Sequence, residues 1–264
     1  LDSLWIVTSL KEWGKRLTRS FLAAVAFYTT IPLPRGSQLE FERIARWSPA
    51  IGLLLGGLLG LLDRALAVFG IPVLTRSALV VAGWVVLTGG LHLDGAIDVA
   101  DGLAVSDGKR RLEVMQDSVT GAFGVMAAAI ALLLKTAALS DLAAERCFSL
   151  MVAAGWGRWG QVVAIACYPY LKATGKGAFH KPGMRLPQDI LVGWLLLLGL
   201  SGLDSILMPD HLWLGWASAG AGSAIALLTG FWFYCQLGGH TGDTYGAVVE
   251  WTEVFVLIAM GLLA

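Results

Sequence analysis

Apolar residues run through this chain in long blocks separated by short polar breaks, a pattern that suits buried or membrane-crossing helices rather than the period-two alternation of strands. A bilayer core needs about 20 mostly apolar residues per helix. Blocks of that kind fall at about 48–71, 77–93, 119–139, 148–169, 189–208, 211–234 and 246–264, which predicts seven spans. Ahead of them, Ile6, Leu10, Trp13, Leu17 and Phe21 recur at helical spacing opposite Lys11, Lys15, Arg16 and Arg19. That is the pattern of a helix lying in the interface. The next apolar run, Phe21–Pro34, has only 14 residues and includes two prolines near its end; it is short for a crossing and suits a re-entrant or partly inserted helix. The expected fold is therefore all-α, a polytopic integral membrane helix bundle with about seven transmembrane helices plus an N-terminal interfacial or re-entrant helix within residues 1–34. The whole chain, 1–264, reads as one membrane domain.

Composition agrees, since 56% of the 264 residues are hydrophobic and 14% charged, with a mean hydropathy of +0.70. A formal net charge of zero gives no clustered positive footprint, so nucleic acid is excluded as a partner. Cys147, Cys167 and Cys235 are far apart in apolar surroundings and read as packing residues. Lys and Arg collect on one side of the predicted bundle: loops 35–47, 94–118, 171–188 and 236–245 hold 10 of them, and the opposite connections hold two, Arg76 and Arg146. The excess marks the first set as cytosolic. Gly52, Gly56, Gly57 and Gly60 read as helix-packing positions. Asp63, Arg64 and Lys135 read as charges near span ends that reach the interface.

The stretch Gly89–Gly124 holds six of the nineteen acids: Asp94, Asp98, Asp101, Asp107, Glu113 and Asp117. Asp94, Asp98 and Asp101 stand at i, i+4 and i+7, so a helix projects all three carboxylates from one face. At ~6 Å and an effective dielectric of ~20, each neighbouring pair repels by roughly 3 kcal/mol. A divalent cation relieves that repulsion, and an all-oxygen ligand set favours Mg²⁺, which completes its shell with water and substrate phosphate. Gly95, Ala96, Ala100 and Gly102 are expected to leave room for such a ligand. His92, just before the stripe, is a further polar candidate.

A second polar cluster, Gly238–Glu250, offers Thr241, Gly242 and Thr244 as a phosphate cradle, with Asp243 as ligand or base. Cationic complements lie in the same predicted face: Lys109, Arg110 and Arg111 beside Asp117 and Ser118, then Lys172, Lys176, His180, Lys181 and Arg185. These can hold anionic oxygens, or they can serve only as cytosolic anchors. Arg158 falls inside a predicted span, where a charge implies a partner or a polar cavity. A cation-coupled membrane transporter would account for acids and Arg158 along a path, but it calls for acids near the midplane and for repeated halves, and no internal repeat is evident. A membrane scaffold would leave the acid stripe without a purpose.

From about Phe21 to the C-terminus the sequence resembles the cobalamin-5′-phosphate synthase family, also called adenosylcobinamide-GDP ribazoletransferase. The likeness is carried by LHLDGAIDVADGL with RRLEVMQDSVTGAFG, by GRW with PYLKATGKGAF, and by GGHTGDTYGA, in this order. Lys172 stands where an arginine is expected, and His240 precedes the TGD turn. The resemblance implies a transferase of vitamin B12 biosynthesis that assembles the nucleotide loop. Adenosylcobinamide-GDP and α-ribazole, or its 5′-phosphate, would give adenosylcobalamin, or its 5′-phosphate, and GMP, with Mg²⁺ as cofactor. It also implies a prokaryotic inner-membrane location with a cytosolic active face. On this reading Asp94, Asp98 and Asp101 hold metal. Asp117 or Asp243 activates the attacking hydroxyl, and Arg158 serves catalysis. His92, Lys109, Arg110, Arg111 and Ser118 contact substrate, as do Lys172, Thr241, Gly242 and Thr244. A homo-oligomer is compatible with the sequence.

Overall fold

The protein is represented by a computed structural model that describes residues 2–172, 177–208 and 212–263, with side chains from Glu12 onward. Lys176 and the side chains of Ile6, Leu10 and Lys11 therefore lie outside the described residues. All the described helices pack as a bundle, and no extended sheet occurs among these residues.

Helix α1 (Asp2–Tyr28) joins the expected interfacial segment and the first part of the short apolar run in one rod. Its last turns bury Ala23, Ala24, Val25 and Tyr28 against Ile44, Ile51 and Leu55. The chain then leaves the helix, and Thr30 donates its backbone N–H to the Leu87 carbonyl at 2.8 Å and its hydroxyl to Val86 at 2.9 Å. A single 3₁₀ turn, Ile44–Trp47, leads into α2 (Ser48–Val68), which opens with Pro49 where its missing N–H costs nothing.

The remaining helices are α3 (Val73–Thr88), α4 (Leu91–Ala104), the short α5 (Arg111–Val114), α6 (Ala122–Asp141), α7 (Arg146–Cys167), α8 (Gln188–Leu207), α9 (Leu212–Leu237) and α10 (Gly242–Leu263). The core is α7, which packs on α2, α8, α9 and α10. Glycine makes its closest contact possible. A Cβ on Gly52 would stand 2.4 Å from the Ala154 carbonyl oxygen, and one on Gly56 would stand 2.4 Å from the Met151 Cα, so two of the expected packing glycines let the α2 and α7 backbones touch.

Five described helices, α2 with its leading turn, α6, α8, α9 and α10, are long and apolar enough to cross a bilayer. Two of the seven expected spans take a form that block hydropathy did not show. The block at 148–169 becomes α7, which runs from Arg146 beside Asp63 to the chain that carries Lys172 to Asp243; it is buried over nearly all of Phe148–Ile165 and carries Arg146, Ser149, Arg158 and Gln161, so other helices rather than lipid are its solvent. The block at 77–93 breaks. Gly89 and Gly90 both take the left-handed conformation, at φ 61° and 70°, and α4 leaves α3 at 92°. Glycine adopts that conformation without the Cβ penalty. Helix α4 has 14 residues, about 21 Å at the helical rise, and it packs alongside α10 and α6, bringing Asp101 to the start of α6.

Two charges expected near span ends are instead interior. Lys135 of α6 sits between Glu250 and Glu253 of α10, 2.6 Å from each, and Glu253 also takes the Arg158 guanidinium at 2.6 Å. Asp63 pairs with Arg146 at 2.7 Å and Arg76 at 3.0 Å. In each case the helix register brings opposite charges face to face, which removes the need to reach for water.

Candidate active site at the broken end of the bundle

The acid stripe forms as its spacing predicts. On α4, Asp94 is exposed and Asp98 and Asp101 are half-buried. What the spacing did not reveal is how closely the second polar cluster approaches. A Cβ on Gly95 would stand 2.5 Å from the Asp243 carbonyl oxygen, and one on Gly246 would stand 3.0 Å from the His92 carbonyl oxygen. Gly95 is thus spent on backbone contact between α4 and the start of α10, a correction to its expected role as ligand space. Gly102 likewise packs on Met115. Ala96 and Ala100 line an apolar groove of about 690 Å³ with α9 and α10, on the side of α4 away from the stripe.

The turn before α10 is fixed by its own hydroxyls. Thr241 N–H donates to Thr244 Oγ1 at 2.7 Å, and Thr244 N–H donates to Thr241 Oγ1 at 3.3 Å, a reciprocal cap. Thr241 also donates its hydroxyl to Asp243 Oδ2 at 3.2 Å. Both threonines are buried, so their hydroxyls hold the turn, and Gly242 opens the helix between them. The chain around Tyr170 is stitched to this turn. His240 N–H donates to the Pro169 carbonyl and Leu171 N–H donates to the His240 carbonyl, both at 2.8 Å. That stitching delivers Lys172 to Asp243, with Nζ 2.9 Å from Oδ2. Burial pushes the His240 imidazole down to about 4, so it is a neutral packing group at neutral pH.

Three segments far apart in sequence thereby surround Asp98. Its carboxyl is pushed up to about 6, first by burial, then by the like charges of Asp94 and Asp243 with a smaller push from Asp101, while Lys172 opposes them. Asp101 has a second occupation that the sequence reading missed. Its Oδ2 accepts the Gly121 N–H at 2.7 Å and its Oδ1 accepts the Gly124 N–H at 2.8 Å, capping α6. The signal was present as two glycines three apart, since a Cβ on either would stand 2.4 Å from an Asp101 oxygen.

The other candidates scatter. Asp117 is exposed and accepts the Val119 N–H at 3.1 Å, and it is absent from the charges that bear on Asp98. Ser118, Lys109 and Arg110 are exposed and form no ion pair among the described residues. Arg111 donates to the Val105 and Gln236 carbonyls at 3.3 and 2.9 Å, tying the loop to α9. His92 faces inward, 3% exposed. Arg158 is fully buried against Glu253 rather than against the stripe.

A hard divalent ion fits this donor set by type and charge, because Asp94, Asp98 and Asp243 bring carboxylate oxygens together with Lys172 as the cation opposing them. Among the described residues, no three His, Cys, Asp or Glu side chains already close around one point. Magnesium asks for less than that, one or two carboxylates with water and substrate oxygens making up the shell.

The fold and the site together define a polytopic membrane protein with a carboxylate-rich polar site at one border of its bundle. Over residues 20–261 the sequence matches the family described as cobalamin-5-phosphate synthase, and the chain belongs to that family. An adenosylcobinamide-GDP ribazoletransferase of Trichormus variabilis is 57% identical to it, over 94% of this chain and 99% of the relative. The protein of that name from Synechocystis is 50% identical over 91% and 94%, and one from Prochlorococcus marinus strain MIT 9303 is 37% identical over 93% and 96%. No solved structure matches.

Proposed function

We propose that this chain is an adenosylcobinamide-GDP ribazoletransferase, joining adenosylcobinamide-GDP to α-ribazole or α-ribazole 5′-phosphate with release of GMP. The observation that carries the reading is the gathering of Asp94, Asp98, Asp243 and Lys172 from three segments at one end of the bundle, in a chain of this family. In the reaction a ribazole hydroxyl oxygen forms a bond to the phosphorus nearer cobinamide. The bond from that phosphorus to the GMP oxygen breaks, and the hydroxyl proton passes to a base.

Asp94 and Asp98 are the carboxylates that would hold magnesium, with Asp101 kept to its capping role and Asp243 kept for the hydroxyl proton. Magnesium, when bound, supplies positive charge against the diphosphate oxygens. Lys172 adds a cation at the same place, suited to charge developing on departing GMP. Of the two acids considered for the hydroxyl proton, Asp243 belongs to the cluster and Asp117 caps a turn outside it, so Asp243 is the base on this reading. The site faces the cytosol of a prokaryotic inner membrane. The 10-to-2 excess of Lys and Arg on that side supports this, as does the engagement of both opposing arginines, Arg76 and Arg146, with Asp63.

The test is GMP release by the purified protein given adenosylcobinamide-GDP, α-ribazole 5′-phosphate and Mg²⁺. Turnover that EDTA abolishes and Mg²⁺ restores is the expected result. Binding of both substrates without turnover would end the proposal.

A further inference from the structure

A second polar cluster lies inward of the carboxylates and has no part in the chemistry above. Tyr28 of α1, His92 of α4, Arg158 of α7 and His180 of the short turn Ala178–His180 meet there, none more than 3% exposed. The Tyr28 ring stands 6.3 Å from each imidazole, at 23° to His92 and 13° to His180. Arg158 is near enough for its charge to act on both Tyr28 and His92.

Group after group in this cluster lacks a partner among the described residues: the Tyr28 hydroxyl, His92 Nε2, His180 Nδ1, and both Nε and Nη2 of Arg158. The arginine is the informative case. Its Nη1 is fully used, donating to the Ala154 carbonyl at 3.0 Å and to Glu253 at 2.6 Å. Its Nε–H and Nη2–H lie along one edge of a planar guanidinium and make a fork that matches two oxygens of a phosphate or carboxylate. Unmet buried donors are costly, and such groups in a native fold call for an acceptor in the working state.

We propose that this cluster is an oxyanion subsite that receives a phosphoryl group of the substrates, with the Arg158 fork taking two oxygens and Tyr28, His92 and His180 donating to the rest. The assignment rests on the reaction proposed above, whose substrates carry phosphoryl groups at more than one place. His92 and Asp98 are six residues apart on α4, about 9 Å at the helical rise, so one substrate pair can span the subsite and the carboxylates. The wall on the His180 side is a short turn, Ala178–His180, rather than a spanning helix.

Steady-state kinetics on the full chain in vesicles, with α-ribazole and α-ribazole 5′-phosphate as alternative acceptors, tests the assignment. Arg158→Lys keeps a cation for Glu253 but has no fork, and it is expected to raise a KM roughly ten- to a hundredfold. Tyr28→Phe and His180→Asn are expected to raise the same KM about three- to tenfold. A rise in the KM for adenosylcobinamide-GDP with either acceptor places the donor diphosphate in the subsite. A rise confined to α-ribazole 5′-phosphate places the acceptor phosphate there. Unchanged KM values in variants that melt like the parent overturn the subsite and leave internal water as the partner of these groups. If Arg158→Lys fails to fold, Tyr28→Phe, which removes one oxygen, decides the matter alone. Absence of GMP release from the parent protein would instead refute the reaction itself, a result distinct from failure of the subsite.

Discussion

Asp98 and Asp101 show how two members of one stripe come to differ. Both project from the same face of α4, but Asp101 spends its oxygens on the backbone of α6, whereas Asp98 faces Asp94 and Asp243. Replacing Asp98 with Asn should raise the Mg²⁺ concentration for half-maximal turnover at least tenfold. Replacing Asp101 with Asn should leave that concentration within about twofold and cost about 1–2 kcal/mol of stability, in the range of a lost helix cap, read as a lower melting temperature. The pH dependence follows from the same cluster. With the Asp98 carboxyl raised to about 6, a metal ion must displace its proton below that pH, so Mg²⁺ affinity should fall by up to about tenfold per pH unit as pH drops below 6. The sign for folding is the reverse of that for a salt-bridged acid. The folded chain holds the Asp98 proton where the unfolded chain has lost it, so this group's contribution to stability declines as pH rises from about 4 to 6. Activation curves at pH 5, 6 and 7 check the first statement, and Asp98→Asn should flatten the trend. The stripe was legible because a period of 3.6 is written in the spacing of its acids. The division of labour was not, since it depends on which glycine N–H groups arrive opposite each carboxylate.

Gly95 and the Gly89–Gly90 pair decide how α4 sits. A methyl group at Gly95 would meet the Asp243 carbonyl, an atom of the main chain that cannot swing aside. Gly95→Ala should therefore push α4 away from the α10 turn and lower kcat by more than tenfold. Gly57→Ala, whose added carbon meets nothing within 4 Å, should leave kcat unchanged, and the pair can be compared in one assay. Element types and most boundaries followed from apolar block lengths and from the packing glycines of α2. The corner between α3 and α4 escaped because a pair of glycines inside an apolar block reads as close packing until φ is known. Helix α7 was placed correctly in sequence, but its surroundings were not, because block hydropathy does not distinguish a neighbour helix from lipid.

Across the whole bundle, most of the charges buried between helices gather in two groups, the first balanced and the second with one cation in excess. Lys135 and Arg158 meet Glu250 and Glu253, and Asp63 meets Arg76 and Arg146. Removing one member leaves its partners uncompensated in a medium without water. Lys135→Met should accordingly cost about 3–5 kcal/mol, measured as loss of the folded fraction in detergent, and adding Glu250→Gln should recover part of it. Interior acids were the mark expected of a transporter, and here they are bound up in ion pairs. No single-helix pattern could show this, because it arises only when α6, α7 and α10 share a register. The corner at Gly89–Gly90 bears on the molecule's reach into its surroundings. Were Val73 to Ala104 one unbroken rod, it would measure on the order of 48 Å against a hydrocarbon slab of ~30 Å. Its acids would then be lifted clear of Lys172 and Asp243 into open water. Turned at that corner instead, α4 lies along α10 and α6 and sets its acids beside Asp243 and Lys172, so that a water-borne corrinoid meets all of them in one place.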